Sequence, residues 1–294
     1  MLSLVLFIAL GKPRARTFRE LGTMPTQTEI ETTLGQIARQ DDSSFDAPEA
    51  ALLVSALDHP GADLERYRRH LLDLAEAVAA RAGQEPAAAL ADTVAHLYGY
   101  QGDRHTYDDM KNADLLAVID RRRGLPVALG LLYIAAAKGL EARLAGLSFP
   151  GHFLMRVEVG NERVIIDPFS DGKTATTAVL RRLIKRIQGP DAELDPSYFE
   201  EVTPRAVVIR LLMNSRIRAA RSGNLERAIE LVRRMTLVAP NDGRLWADLA
   251  ELHSARGNLS AAANAFEHSI ARAPDDGFRA AAERALEDVR LKLN

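Results

Sequence analysis

Pro150-Gly151-His152-Phe153-Leu154-Met155-Arg156, joined through a short turn to Val164-Ile165-Ile166-Asp167-Pro168-Phe169, is the stretch on which the reading of this chain turns. Residues 153–159 and 162–166 are rich in apolar and β-branched side chains, and Gly160-Asn161 between them signals a tight two-residue hairpin turn. Such a turn fixes the register and sets Leu154 opposite Asp167. Side chains alternate along a strand with period two, so His152 and Leu154 share a face. Asp167 is then the diagonal neighbour of His152 at about 7 Å or less between Cα atoms, within reach of a carboxylate-to-imidazole hydrogen bond. A carboxylate that fixes an imidazole is the orienting half of a nucleophilic triad, in which the imidazole takes a proton from a hydroxyl or thiol. The plain alternative is a satisfied buried polar pair.

Composition narrows what such a pair can do. The 294 residues suffice for about two domains, and 47% hydrophobic residues can bury a sizeable core. The net charge of -2 gives no support for a nucleic-acid or membrane partner. Cysteine is absent, which excludes disulfides, thiolate metal sites and a cysteine nucleophile. Residues 1–10 form an apolar run too short for a membrane span, and Lys12, Arg14 and Arg16 follow it rather than precede it. Residues 1–23 therefore read as an apolar and basic leader, either a poorly formed signal sequence or a stretch upstream of a true start at Met24. A cytoplasmic protein is expected.

Helices dominate the first part. Thr28 to Gln40 and Pro48 to Leu57 have helical spacing, and Asp63 caps a longer helix with Leu64, Tyr67, Leu71, Leu74 and Val78 on one face. Pro86 opens another, ending near Tyr98. The loop containing Asp103, Asp108 and Asp109 does not match a calcium loop and reads as solvated. Ala113 to Arg123 is predicted helical, ended by Gly124, and Pro126 starts an apolar, buried helix over Val127 to Lys138. His59, His70, His96, His105, His253 and His268 show no ligand spacing, and no nucleotide-binding motif occurs, so no metal and no cofactor are expected. The basic run Arg181, Arg182, Lys185 and Arg186 reads as a solvated helix face.

The segments Arg123-Gly124-Leu125-Pro126-Val127-Ala128-Leu129, Leu132-Tyr133, Gly139-Leu140, Phe149-Pro150-Gly151-His152 and Asp167-Pro168-Phe169 together resemble the bacterial transglutaminase-like plus TPR family, often labelled "regulator of sirC expression". Leu97-Tyr98-Gly99-Tyr100-Gln101-Gly102-Asp103 and Tyr107 look like the same family's lead-in. The resemblance implies an α+β fold: a papain/transglutaminase-like core over residues 24–200, with a buried central helix on an antiparallel sheet bearing His152 and Asp167. In transglutaminase-like enzymes a cysteine begins that helix; laid onto this chain, its position falls at about Gly124. No Ser, Thr or Cys occurs between Asn112 and Ser148 to replace it. His152 and Asp167 thus read as a vestigial dyad.

Residues 201–294 carry repeats. Gly223-Asn224-Leu225 recurs as Gly257-Asn258-Leu259, Ala228 as Ala262 and Pro240 as Pro274, all at the 34-residue period of the tetratricopeptide repeat. Trp246, Leu249, Ala250, Ala262, Phe266 and Pro274 fit the second repeat, the first is degenerate with Arg216 at its small position, and Phe278 to Leu293 is the cap. Two repeats and a cap are too few to stand alone and should dock on the preceding domain. Arg210, Met213, Ile217, Arg244, Ala247 and Glu251 are candidates to line a groove for a protein or peptide. A carboxylate-clamp groove needs Lys and Asn where Met213 and Ile217 stand, so that specificity is not expected. Three readings result: a non-catalytic scaffold acting through protein association, a thiol-independent hydrolase or acyltransferase using His152 and Asp167, or a purely structural His-Asp pair.

Overall fold

The computed structural model describes residues 25–81 and 83–293, so the leader lies outside the described residues. The chain opens with α1 (Gln27–Ala38), α2 (Ala47–Ala56) and α3 (Leu64–Ala79). Side-chain caps start all three: Thr26 with a reciprocal Glu29 box, Asp46 and Asp63. Helix α4 (Pro86–Ala91) runs on into a π-helical turn over Asp92–Leu97. Where a single helix ending near Tyr98 is expected, the wider turn sends the Tyr98 amide to the Thr93 carbonyl.

Strand β1 (Gln101–Gly102) pairs in parallel with β2 (Arg123–Gly124), and between them lie a 3-10 turn over Met110–Ala113 and α5 (Leu115–Arg121). Gly124 does not end α5, as the sequence suggests. Arg122 does so in a left-handed conformation at φ 59°, held by His70 and Tyr100, which leaves Gly124 free to pair with Gly102. The Asp-rich loop also departs from expectation, because Asp103 is buried rather than solvated. Its carboxylate accepts from the Thr106 hydroxyl at 2.6 Å, the Thr106 and His105 amides and Arg121; the Thr106 and His105 bonds, with Asn112, hold it down at about 2.

Helix α6 (Pro126–Ala137) is apolar on every side and almost wholly buried, as its sequence predicts. It leads into a five-stranded antiparallel sheet of order β6-β5-β4-β3-β7. The strands are β3 (Arg143–Leu147), β4 (Met155–Val159), β5 (Glu162–Asp167), β6 (Lys173–Thr174) and β7 (Glu201–Val202). The hairpin register is the one read from the turn, with Met155 opposite Ile166 and Val157 opposite Val164. Gly160 takes φ 57° while Asn161 does not take a positive value, which suits a two-residue turn with glycine first. Phe153, Met155, Val157 and Ile166 face α6, whereas Leu147, Phe149 and Leu154 pack under α7 (Thr177–Gln188) with Leu180 and Ile184.

Five further helices follow: α8 (Pro204–Arg221), α9 (Leu225–Val238), α10 (Gly243–Ala255), α11 (Leu259–Ala271) and α12 (Asp276–Leu293). The recurring glycines, Gly223 at φ 71° and Gly257 at φ 82°, make the turns within each helix pair. The apolar faces of α8 and α9, with Leu245 of α10, merge with the main core, so the repeats are built onto the sheet-bearing part. Asp58 at the end of α2 receives Arg227 and Arg234 of α9 at 2.5 to 2.7 Å, fastening that junction. Among the described residues no helix is long and apolar enough to cross a membrane.

Candidate functional site around His152 and Asp167

Gly151, at φ 62°, turns the chain immediately before β4, and a Cβ there would press on Ile187 of α7 at 2.9 Å. His152 therefore sits in a bend ahead of the strand rather than inside it, and β4 begins at Met155. Its imidazole nevertheless meets Asp167 at the end of β5, with Nε2 2.9 Å from Oδ1. Both side chains are only 13% exposed. Asp167 Oδ1 also accepts the Phe169 amide at 2.9 Å. Burial pushes the Asp167 carboxyl up, but the His152 hydrogen bond and charge, with Ser170 and the Phe169 amide, outweigh it and leave the carboxyl below its ordinary range. With Nε2 engaged, Nδ1 is the imidazole atom left without a partner among the described residues.

What faces that imidazole is an aromatic ring. Phe169, in the 3-10 turn after β5, stands edge-on to His152 with centroids 6.1 Å apart. The same ring lies on Gly102, where a Cβ would come within 2.4 Å of Phe169 Cδ2. Gly102 is the ladder partner of Gly124, so Phe169 spans from the imidazole to the strand pair that carries Gly124. Gly124 is itself enclosed: a Cβ would fall 2.8 and 3.0 Å from the two methyls of Val118 and 3.4 Å from the Asn112 carbonyl. Three cavities, of about 580, 190 and 730 Å³, open elsewhere, around Phe45 and Val202, around Ser55 and Ser215, and around Arg205 and Asp242.

Several further residues complete this surround. Tyr107 stands edge-on to Phe169 at 5.8 Å and is 41% exposed. Arg104 lies over Phe169 at 4.8 Å and donates to its carbonyl at 3.1 Å. The buried Tyr133 hydroxyl, from α6, has no hydrogen-bond partner among the described residues and abuts Gly172, in the loop following Phe169. Arg210, expected on the repeat groove, turns toward the sheet instead. Its guanidinium donates to the carbonyls of His152 at 2.6 Å and Phe149 at 3.1 Å. The other groove candidates occupy the repeat helices as half-buried Met213 and Ala247 and exposed Ile217, Arg244 and Glu251. The ion pair Arg216–Asp248 at 2.5 Å bridges α8 to α10 beside them. Among the described residues no cluster of three or more His, Cys, Asp or Glu is arranged to hold a metal.

The family model for the transglutaminase-like superfamily matches residues 65–213, from α3 to the middle of α8, and so takes in α6, the sheet, His152 and Asp167. The chain belongs to the transglutaminase-like superfamily. A tetratricopeptide-repeat model matches residues 216–287, in line with the 34-residue recurrence. A UPF0162 protein from Xylella fastidiosa strain 9a5c is 27% identical over 236 residues, covering 78% of this chain and 84% of that one. The mouse F-box only protein 21 is 33% identical over 93 residues, or 29% of this chain and 15% of that protein. A menin crystal structure aligns with 84% of this transglutaminase-like chain and 70% of its own at 9% identity and a TM-score of 0.40.

Proposed function

We propose that this chain is a non-catalytic transglutaminase-like scaffold that acts by protein association through its repeat helices, in a regulatory role in the bacterial cytoplasm, with the division between its two parts near residue 200. The observation that carries this reading is the enclosure of Gly124. The position at which the family resemblance sets the nucleophile holds no side chain, and a Cβ there would lie 2.8 and 3.0 Å from the Val118 methyls. A thiol enzyme needs a thiolate presented to an imidazole. Here the imidazole is met by Phe169. The oriented His152 and Asp167 then serve as a structural polar pair that closes the end of the hairpin.

The repeat helices offer what association needs: exposed Ile217, Arg244 and Glu251 beside half-buried Met213 and Ala247. The test immobilises the full chain and recovers partners from its source cells, alongside Arg244→Glu, Glu251→Lys and His152→Ala variants. A partner lost with the two groove variants and kept by His152→Ala is the expected result. Turnover of an amide or ester substrate by the parent, abolished in a folded His152→Ala variant, overturns the proposal in favour of a hydrolase or acyltransferase.

A further inference from the structure

Buried guanidinium groups cannot shed their charge, so a protein normally supplies each with a carboxylate. This chain does so at Arg234, which receives Asp58 and Glu230, and at Arg205, which meets Asp42 at 2.8 Å. Arg210 is different. Both of its hydrogen bonds go to carbonyls, its other contact is the Phe153 ring at 5.4 Å, and among the described residues it makes no ion pair. Burial pushes the guanidinium below its ordinary value, opposed only by the neighbouring Tyr107 phenol.

Two more arginines converge on the same aromatic pair. Arg104 stacks on Phe169 and makes no ion pair among the described residues. Arg218 lies over Tyr107 at 5.6 Å, its side chain is 10% exposed, and its Nε is buried with no partner among the described residues. The acidic residue near Arg218 is Asp108, at 3.6 Å and 79% exposed. Three guanidinium groups thus gather about Tyr107, Phe169 and the His152 carbonyl, and among the described residues the one carboxylate that any of them approaches is Asp108.

We propose that this rim receives a single carboxylate of a partner protein, taken between Arg104, Arg210 and the Tyr107 hydroxyl beside His152. A carboxylate accepts the forked guanidinium donors in their own plane, and the exposed Tyr107 ring gives a flat surface for the residue that bears it. Asp108, Asp167 and Asp171 border the rim and weigh against a polyanion such as nucleic acid. The site lies where α8 meets the sheet-bearing part, and deepens the association reading, on which it rests.

The test uses the full chain with its histidines 13C-labelled and follows the His152 ring signal, assigned by its loss in His152→Gln. N-acetylglycine offers a terminal carboxylate, N-acetylglutamic acid α-amide a side-chain carboxylate, N-acetylglycinamide neither, and phenyl phosphate a dianion. Both carboxylates, or the one of the matching source, should shift the signal saturably, with the amide inert. Affinity should fall tenfold or more in Arg104→Gln, whose exposed side chain leaves the fold intact, and in Arg210→Lys, which keeps the charge and loses the fork. An equal response to the amide, a response to phenyl phosphate alone, or unchanged affinity in both variants overturns the inference. A cell partner whose capture is indifferent to Arg104→Gln and Arg210→Lys overturns it as well, leaving the association reading intact. Saturable carboxylate binding in a chain that captures no partner sinks the association reading instead.

Discussion

Gly124→Cys places a thiol where the family resemblance sets the nucleophile, in a chain that otherwise has none. Any thiol signal therefore comes from the new residue alone. The added Cβ would lie 2.8 and 3.0 Å from the Val118 methyls, about 0.7 Å inside ordinary carbon contact. Val118 is fully buried and β-branched, so it has little rotamer freedom with which to yield. Overpacking of this kind costs about 1 to 3 kcal/mol. Val118→Ala removes both offending methyls at a cost of its own, about 2 kcal/mol for a buried truncation. The double variant should then be more stable than the two single effects sum to, by about 1 to 3 kcal/mol, because the clash is absent from it. Urea unfolding of the four proteins gives the cycle, and alkylation rates against pH give the thiol's ionisation. The cysteine should titrate near or above the ordinary thiol value of about 8.5, since it is enclosed in apolar surroundings away from the imidazole. Unchanged stability in Gly124→Cys refutes the packing argument, and a thiolate formed well below that value only while His152 is present refutes the scaffold reading.

The remaining predictions concern the pairs that hold the structure together. Asp167→Ala should lower unfolding free energy by about 1 to 3 kcal/mol, through loss of the His152 partner and the Phe169 amide's acceptor, and unchanged urea midpoints would dispose of a structural role. At the junction, burial raises the Asp58 carboxyl but Arg227 and Arg234 hold it at about 2. Its folded value lies below its unfolded one, so its contribution of about 2 kcal/mol is present above pH 4 and fades as pH falls toward 2. The parent's advantage over Asp58→Asn should shrink across that window, and a pH-independent gap contradicts it. Burial and the Arg122 charge hold the His70 imidazole down at about 4, with Nε2 facing the Arg122 guanidinium at 2.8 Å and the Tyr100 hydroxyl at 2.6 Å. For a histidine depressed in the fold, stability is full above about pH 6.5 and is lost as pH falls toward 4, by about 3 kcal/mol. His70→Gln should flatten that part of the profile, and an unaltered slope tells against the assignment.

The parts of this fold that are plain in its sequence are those set by periodicity. A two-residue turn and period-two alternation fix the β4-β5 register, and the bend at Gly151 ahead of β4 then brings His152 to Asp167. The 34-residue recurrence marks the repeat helices because each turn needs a residue free to take positive φ, and Gly223 and Gly257 supply it. What escapes sequence reasoning depends on contacts between distant segments. Arg122 accepts a left-handed backbone that usually selects glycine because Tyr100 and His70 hold its side chain. Asp103 is buried because Thr106 and Arg121 close over it. Arg210 follows the repeat pattern well enough to pass for a groove residue, and only the docking of α8 on the sheet turns it toward His152. The crowding of Gly124 by Val118 and the Asn112 carbonyl depends in the same way on how the chain folds back after α5.

Helix α8 has a mechanical consequence. Its 18 residues form a rod about 27 Å long, and the two family matches end and begin inside it, at residues 213 and 216. On that one rod Arg210 grips the carbonyls of Phe149 and His152, Arg218 grips the Tyr107 carbonyl, and Arg216 grips Asp248 on α10. The repeat helices and the hairpin bend are therefore geared together. A ligand that levers α10 away from α8 applies its torque through Arg216 to a shaft whose other teeth mesh with the loop bearing His152, and neither part can be cut from the other without breaking that shaft.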